Sequence, residues 1–345
     1  MKAALTLRAV PLVDLPWSEL DSYADRNVFQ TRSWLQFLAR TQNAKPVVAA
    51  LQDHSDTVGW FTGLVQRRFG VRLLGSPFPG WNTSYLGFNL KPGVDRRAAF
   101  EALPTFAFGE LRCAHLEVRC RNVGFHELEG LGFERGHTFR TYTLDLRPTE
   151  SEIFSRMTSA CRTAVRKSEK EGVVVEEADD VDFAGEYFAQ LVDVFEKQGL
   201  RPHFDIERVR ILIEEMLPTG NLLLLRARVG GECAATGIFP VFNRVAYFWG
   251  GASFRSRQSA RPNEAIMWHA IRALRDRGVN ELDLGGEGKY KEKYGPIPTP
   301  VPLYMRSRWS AVTVARNRAE QIVRRRLGRP PVPPIYVPQL AAPDS

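Results

Sequence analysis

Two stretches of this 345-residue chain carry the same pattern of apolar and polar positions. Each stretch begins with an apolar run, crosses a polar turn and returns through a second apolar run, which is the pattern of a β-hairpin. In the second stretch the turn is the pair Gly230-Gly231, a two-residue connection that favours a tight hairpin. The predicted hairpin strands are residues 46–51, 58–67, 222–229 and 232–241.

Each hairpin is followed by the same series of elements. An aromatic-rich segment predicts a third strand, and a helix then begins near Asp95 or at Pro262 with apolar side chains at helical spacing. A short apolar run predicts a fourth strand. The third and fourth strands are predicted at residues 81–88 and 115–118, and again at 245–251 and 281–284. Equivalent pieces lie about 170 residues apart, which predicts a duplicated domain.

Further helices link and flank these two stretches. Apolar residues at helical spacing predict helices over residues 151–172 and 183–198. Asp205 is placed to cap a third helix, which ends near Gly220. The remaining predicted elements are a helix at residues 125–131, a final strand of the first stretch at 138–146, and a strand at 303–309.

The order hairpin, strand, helix, strand resembles the middle of an acetyltransferase-type (GNAT) module. Its double occurrence predicts an α/β fold of two tandem GNAT-like modules, each a mixed central sheet flanked by helices. The length of 345 residues agrees, because one compact core rarely holds so long a chain. We expect the first module at residues 1–147, the second at 148–310, a basic C-terminal helix at 311–329 and a Pro-rich disordered tail at 330–345.

Composition bears on partners and location. The net charge of +8 favours an anionic partner, such as a small-molecule or lipid-linked acceptor. A tRNA and the inner membrane surface are further candidates, and DNA is not expected. The chain has no run of about 18 apolar residues and no leader-like N-terminus, so we expect a cytoplasmic protein. Its four cysteines lack zinc-ligand spacing, which predicts free thiols and no metal site.

Four short motifs occur in order along the chain: NVFQTRSWLQFL at residues 27–38, TSACRTAVRKSEKEG at 158–172, PNEAIMW at 262–268 and LDLGGEGKYKEKYG at 282–295. In this order they resemble the FemAB-like and BioF2-like acyltransferases of the GNAT superfamily. The resemblance implies an N-acyltransferase that transfers an acyl or aminoacyl group to an amine of a cell-envelope or polysaccharide precursor. It also implies no permanently bound cofactor, with acyl-CoA or aminoacyl-tRNA as the co-substrate.

One segment departs from the pattern of acetyl-CoA-dependent GNAT enzymes. Those enzymes hold the pyrophosphate on a glycine-containing loop, whereas residues 255–262 read RSRQSARP. The departure weakens the case for acetyl-CoA, and the sequence leaves both donors open.

Acyl transfer to an amine requires a neutral amine held near the carbonyl and donors for the developing oxyanion. In this fold the two central strands of a module separate to make that cleft, which we place in the second module between residues 247–251 and 282–285. Glycines there permit close approach of a ligand to the backbone, or they only make turns or bulges. The substrate-binding candidates at this cleft are Trp249, Gly250, Asn263, Asp283, Gly285 and Gly286.

Alternating lysines and tyrosines follow the last of these strands. Lys291 matches the lysine that the resemblance assigns to charge stabilisation, and Tyr290 beside it is the second catalytic candidate. Lys289 and Tyr294 are assigned to substrate binding. The structural alternative is an exposed basic segment with tyrosines packed beneath it.

A basic stripe on residues 158–172 is a further candidate. Arg162, Arg166 and Lys167 could hold phosphates of a tRNA or a nucleotide-linked acceptor. A solvated helix face gives the same pattern. His203 is a candidate proton acceptor. The alternative function is a non-catalytic, degenerate GNAT pair that binds an anionic polymer, either RNA or a membrane surface.

Overall fold

The computed structural model describes residues 4–68, 70–121, 123–196, 199–286, 288–316 and 318. Their sixteen strands form two eight-stranded mixed sheets. The first half of the chain supplies β1 (Thr6–Val10), β2 (Lys45–Asp53), β3 (Asp56–Arg68), β4 (Val71–Ser76), β5 (Gly87–Leu90), β6 (His115–Arg119), β7 (Glu134–Arg135) and β8 (Phe139–Asp145). The second half supplies β9 (Val174–Glu177), β10 (Leu222–Val229), β11 (Glu232–Phe242), β12 (Val245–Tyr247), β13 (Gly250–Ser253), β14 (Glu281–Asp283), β15 (Ile297–Val301) and β16 (Leu303–Ser307).

Eight α-helices accompany the sheets within the described residues: α1 (Trp17–Asp21), α2 (Arg32–Thr41), α3 (Arg96–Thr105), α4 (Glu150–Arg156), α5 (Ser159–Lys170), α6 (Phe183–Glu196), α7 (Ile206–Met216) and α8 (Pro262–Asp276). Their starts follow from local chemistry. The side chains of Asp95 and Asp205 accept backbone N–H groups at the starts of α3 and α7, and the Asp205 cap is the one that the sequence predicted. Helix α8 has proline at its first position, where no hydrogen bond is lost.

Both predicted hairpins are confirmed. Strands β2 and β3 pair antiparallel in the first sheet, and β10 and β11 pair antiparallel in the second. Each sheet also contains one parallel pair in its middle, β4 with β6 in the first and β12 with β14 in the second. The duplication read from the hydrophobic pattern is therefore present in the strand pairing.

The two sheets exchange strands. Strand β8 pairs with β14 and β15 in the second sheet, although the sequence analysis made residues 138–146 the final strand of the first module. That assignment was wrong. Strand β16 crosses the other way and pairs with β6 in the first sheet. The predicted boundary at residue 147 thus does not coincide with the boundary between the sheets, because pairing edges, not chain order, determine where a strand lies.

Three element predictions need correction. Residues 81–86 are not a strand; β4 and β5 flank a connection at residues 77–86, and the sequence analysis missed β4. Residues 151–172 form two helices, because Met157 is extended and Thr158 caps the second. Residues 125–131 contain only a short 3₁₀ helix.

One apolar core lies between the two halves. It joins side chains of α2 with side chains of α6 and α7, so a single packed layer connects the sheets. Phe29, Trp34 and Phe37 from the first half pack in it with Tyr187 and Trp249 from the second. Separate cores lie beneath each sheet.

At the C-terminus, residues 310–316 are helical, in agreement with the start of the predicted basic helix. The rest of the predicted helix and tail, residues 317 and 319–345, lies outside the described residues.

Candidate active site

The central parallel strands of the second sheet separate where the sequence predicted the cleft. Strands β12 and β14 are in register up to Tyr247 and Asp283. The Phe248 N–H still donates to the Asp283 carbonyl at 2.8 Å, but the Trp249 N–H turns to the Ile238 carbonyl at 3.0 Å. From that residue on, β13 pairs with β11 alone. The separation opens a gap between Gly250 and the chain that follows β14.

A buried carboxylate lies at the mouth of this gap. Asp283 is fully buried and accepts hydrogen bonds from the Tyr85 hydroxyl and the Gly285 N–H, both at 2.8 Å, and from the Thr141 hydroxyl. Burial raises the pKa of Asp283, and these donors with the nearby Arg121 only partly oppose that effect. The predicted substrate-binding residue Asp283 is thus enclosed by protein, and it shapes the loop that begins at Gly285.

The predicted catalytic lysine lies on the same loop. Lys291 is 8% exposed, and its Nζ donates to the Gly286 carbonyl at 2.6 Å. Burial lowers its pKa from 10.5 to about 8, and the charge of Asp283 opposes that change. Gly285 has a φ of +73°, which a residue with a side chain would adopt only with strain. These two glycines let the loop turn back, so that the ammonium group faces the end of β14.

The first half of the chain contributes directly to this site. In both sheets the strand after the hairpin is interrupted: β12 and β13 are separated by two residues, but β4 and β5 are separated by residues 77–86. This connection carries Tyr85 to Asp283. Arg121, which follows β6, donates to the Tyr85 hydroxyl at 2.9 Å and to Glu281 at 2.7 Å. A pocket of about 240 Å³ lies beside these residues, between the two sheets.

The other predicted lysine and tyrosine candidates divide into exposed and buried residues. Tyr290 is 57% exposed, and its ring lies 5.6 Å from the Lys291 Nζ. Lys289 is exposed beside it. Tyr294 is buried in the core beneath the second sheet, which is the structural alternative considered for it. The structure therefore places Tyr290 and Lys289 where a substrate can reach them, and Tyr294 where it supports the loop.

Aromatic side chains line the opposite side of the gap. Trp249 packs against Phe37, Tyr187 and Phe204. A Cβ on Gly250 would lie 2.6 Å from the Tyr187 hydroxyl, so glycine is required for the present packing. Gly250 thus packs closely against a buried tyrosine, and its role in binding a substrate stays a prediction.

The segment expected to hold a pyrophosphate is closed. Residues Arg255–Ala260 form a 3₁₀ helix, and the Arg255 N–H donates to Asp193 at 2.9 Å. The Arg257 N–H donates to the Phe254 carbonyl at 3.0 Å. Asn263, at the start of α8, donates its amide to the Ser253 hydroxyl at 2.8 Å. These N–H groups already have partners, so this segment lacks the open loop of acetyl-CoA-dependent relatives.

The described contacts of the basic stripe on α5 are local ones. The Arg162 guanidinium donates to the carbonyls of Ser155 and Met157 and so stabilises the break between α4 and α5. Arg166 stacks over Phe154 at 5.4 Å, and Lys167 is exposed. None of these contacts brings the three residues to Lys291 or Asp283, and their role in binding phosphate stays a prediction.

Sequence reasoning missed several residues of the site. They are Tyr85, Arg121, Thr141 and Tyr187, which come from distant parts of the chain. The available signal was the aromatic-rich segment at 81–88, which the sequence analysis interpreted as a strand.

Comparison with known proteins agrees with this geometry. Residues 155–294 match the family model described as an acetyltransferase (GNAT) domain. This part of the chain is a GNAT acetyltransferase domain. The match covers β10–β14, α8 and the loop with Lys291, so the predicted second module is the part that carries the family pattern. The enzymatic interpretation is thus favoured over the non-catalytic one.

Solved structures extend the agreement in fold to both halves of the chain. The structure of FemX matches with a TM-score of 0.68 at 12% identity, covering 84% of this chain and 96% of that one. A tandem GNAT protein from the clavulanic acid biosynthesis pathway has a TM-score of 0.54 at 12% identity, covering 88% and 98%. L-PGS from Bacillus licheniformis has a TM-score of 0.54 at 12% identity, covering 87% and 98%. No curated protein matches the sequence. The predicted tandem GNAT fold is confirmed.

Among the described residues, no helix is both long enough and apolar enough to cross a membrane.

Proposed function

We propose that this acyltransferase transfers an acyl or aminoacyl group to an amine of a cell-envelope or polysaccharide precursor in the cytoplasm. The FemAB-like motifs support this, as does the fold shared with FemX and with L-PGS. The acceptor is anionic, either a small molecule or lipid-linked, in keeping with the net charge of +8.

The observation that carries the proposal is the gap between β13 and β14 with the Lys291 ammonium beside it. A neutral amine attacks the carbonyl carbon of the donor, and the carbonyl oxygen becomes an oxyanion in the tetrahedral intermediate. The Lys291 ammonium stabilises that oxyanion, because charge–charge attraction is strong in a site with little water. The intermediate collapses as the C–S or C–O bond to the donor breaks, and the thiolate or alkoxide that leaves takes up the proton lost by the amine.

The donor is either acyl-CoA or an aminoacyl-tRNA. The closed segment at Arg255–Ala260 favours the second, since it offers no open row of N–H groups to a pyrophosphate. An aminoacyl ester would enter the same gap and leave a ribose hydroxyl.

The test is transfer of a radiolabelled acyl group from acetyl-CoA and, in parallel, from a mixture of aminoacyl-tRNAs, to an extract of envelope precursors at near-physiological salt. Salt matters because a basic protein binds RNA nonspecifically at low ionic strength. We expect label in the acceptor fraction, and its loss in Lys291→Ala. Lys91→Ala is the matched control, because Lys91 also donates to a backbone carbonyl, that of Thr57 at 2.6 Å, but is exposed and distant in sequence from the site. Equal transfer by wild type and Lys291→Ala would refute the assigned role of the lysine.

A further inference from the structure

One buried arginine in this protein has no carboxylate partner among the described residues. Arg208, in the first turn of α7, is 6% exposed, and its guanidinium makes one hydrogen bond within the described residues, from a terminal nitrogen to the Trp81 carbonyl at 2.7 Å. The Arg208 Nε is buried and has no hydrogen-bond acceptor there. A buried cation without a counter-charge is costly, so it requires an explanation.

Two other buried arginines show what this protein does when the role is structural. Arg26 pairs with Asp21 at 2.8 Å, and Arg226 is held by three acidic side chains, Glu176, Asp180 and Glu186. Arg208 differs from both, because its charge is uncompensated. Burial accordingly lowers its pKa to about 10.

The surroundings of Arg208 are aromatic. Its guanidinium carbon lies 5.0 Å from the ring centre of Phe204, 5.7 Å from that of Trp249 and 5.9 Å from that of Phe37. Aromatic faces stabilise a guanidinium but leave its N–H donors free, since they offer no acceptor in the plane of the fork. The rings therefore hold the cation in place, while its remaining N–H groups stay available to an acceptor.

Arg208 is also next to the gap where acyl transfer takes place. Trp249, over which it stacks, directly precedes Gly250 in the interrupted strand. Tyr187 lies between the two regions, because its hydroxyl meets Gly250 while its pKa, raised by burial, is influenced by the charge of Arg208 and by Tyr290. Arg208 and the gap therefore share Trp249 and Tyr187 as neighbours.

We propose that Arg208 binds an oxyanion of the acceptor, a carboxylate or a phosphate, and so positions the acceptor amine at the gap. The inference rests on the proposed function and specifies its substrate class as an amine that also carries an oxyanion. A guanidinium fork suits this role, because it donates two parallel hydrogen bonds to two oxygens of one group. The ligand would supply the counter-charge that the protein omits.

The experiment measures anion binding without turnover, so its failure is distinguishable from failure of the proposed function. Wild-type protein is titrated calorimetrically with pyrophosphate and, separately, with succinate, at constant ionic strength set by chloride. We expect saturable binding of at least one probe, and the stronger one identifies the source of the oxyanion. In Arg208→Met we expect binding to weaken by about tenfold to a hundredfold, the value of one charged hydrogen bond.

Two variants keep the result interpretable. Arg255→Met removes the same charge from an exposed arginine paired with Asp193, and it should bind the probes as wild type does. Arg208→Lys retains the charge but loses the fork, so it should also weaken binding, and it replaces Arg208→Met if that variant does not fold. Unchanged probe binding in a folded Arg208 variant, or equal weakening in Arg255→Met, would overturn the proposal, as would failure of both probes to saturate on the wild type.

Discussion

Replacing Lys291 by methionine should make this enzyme more stable at neutral pH while abolishing most of its activity. The buried ammonium has a pKa of about 8 against 10.5 in the unfolded chain, a difference worth roughly 3 kcal/mol. Because the folded-state pKa is the lower one, the unfolded chain binds the proton more tightly. The lysine therefore destabilises the fold fully below pH 8, and this effect disappears only above the unfolded pKa. Methionine fills a similar volume without the charge, but it leaves the Gly286 carbonyl without its donor, at a cost of about 1 kcal/mol.

The assay is urea unfolding of wild type and Lys291→Met at about pH 6.5 and about pH 10. The variant should be more stable by about 1–2 kcal/mol at the lower pH. At the higher pH the stability difference should fall by roughly 2.5 kcal/mol and change sign, leaving the variant slightly less stable than wild type, because the lysine of the folded wild type is then largely neutral. Lys91→Met, which removes an exposed lysine with a similar hydrogen bond, should show neither effect. A stability difference between wild type and Lys291→Met that does not change with pH would refute the reasoning.

Three further substitutions test the site at other points. Tyr85→Phe removes the hydroxyl that donates to the buried carboxylate, and it should lower kcat by about tenfold. Tyr304→Phe removes a hydroxyl in the first sheet that donates to a backbone carbonyl at 2.5 Å, and it should leave kcat unchanged. Steady-state kinetics of both variants test the difference. Gly250→Ala should lose activity through collision with the Tyr187 hydroxyl, and the added change Tyr187→Phe should restore part of it; a double variant no better than the single one would contradict this. Arg162→Ala should cost about 1–2 kcal/mol in urea unfolding with little change in kcat/KM, because its donors bind carbonyls at a helix break; a selective rise in KM would instead support the phosphate-binding prediction.

The repeated hairpins could be predicted because the sequence pattern that specifies them is local. Strands β10 and β11 are apolar runs on either side of Gly230-Gly231, and the structure reproduces both strands almost to the residue. The same holds for α7 and α8, whose starts are marked by Asp205 and Pro262. Local pattern and local capping chemistry fix such elements.

Only part of the candidate site could be predicted from local sequence patterns. Lys291 and Asp283 belong to one continuous motif, so the sequence placed them together. Tyr85 and Arg208 lie about 200 and 75 residues before Asp283 in the sequence. Their closeness to the site in space depends on how the two sheets pack. Tyr85 also lies in a stretch of aromatic residues that has the composition of a strand, so its position in a connection could not be anticipated.

The exchange of β8 and β16 has a consequence for how the chain is made. The first sheet contains β16, which ends at Ser307, so this sheet stays incomplete until that residue has left the ribosome. Until then the outer edge of β6 has unpaired backbone groups, a state that favours association with other strands. The second sheet needs β8 from the first half, so neither half forms a closed unit by itself. Acquisition of structure during synthesis should therefore be late and concerted, with the two sheets completed together.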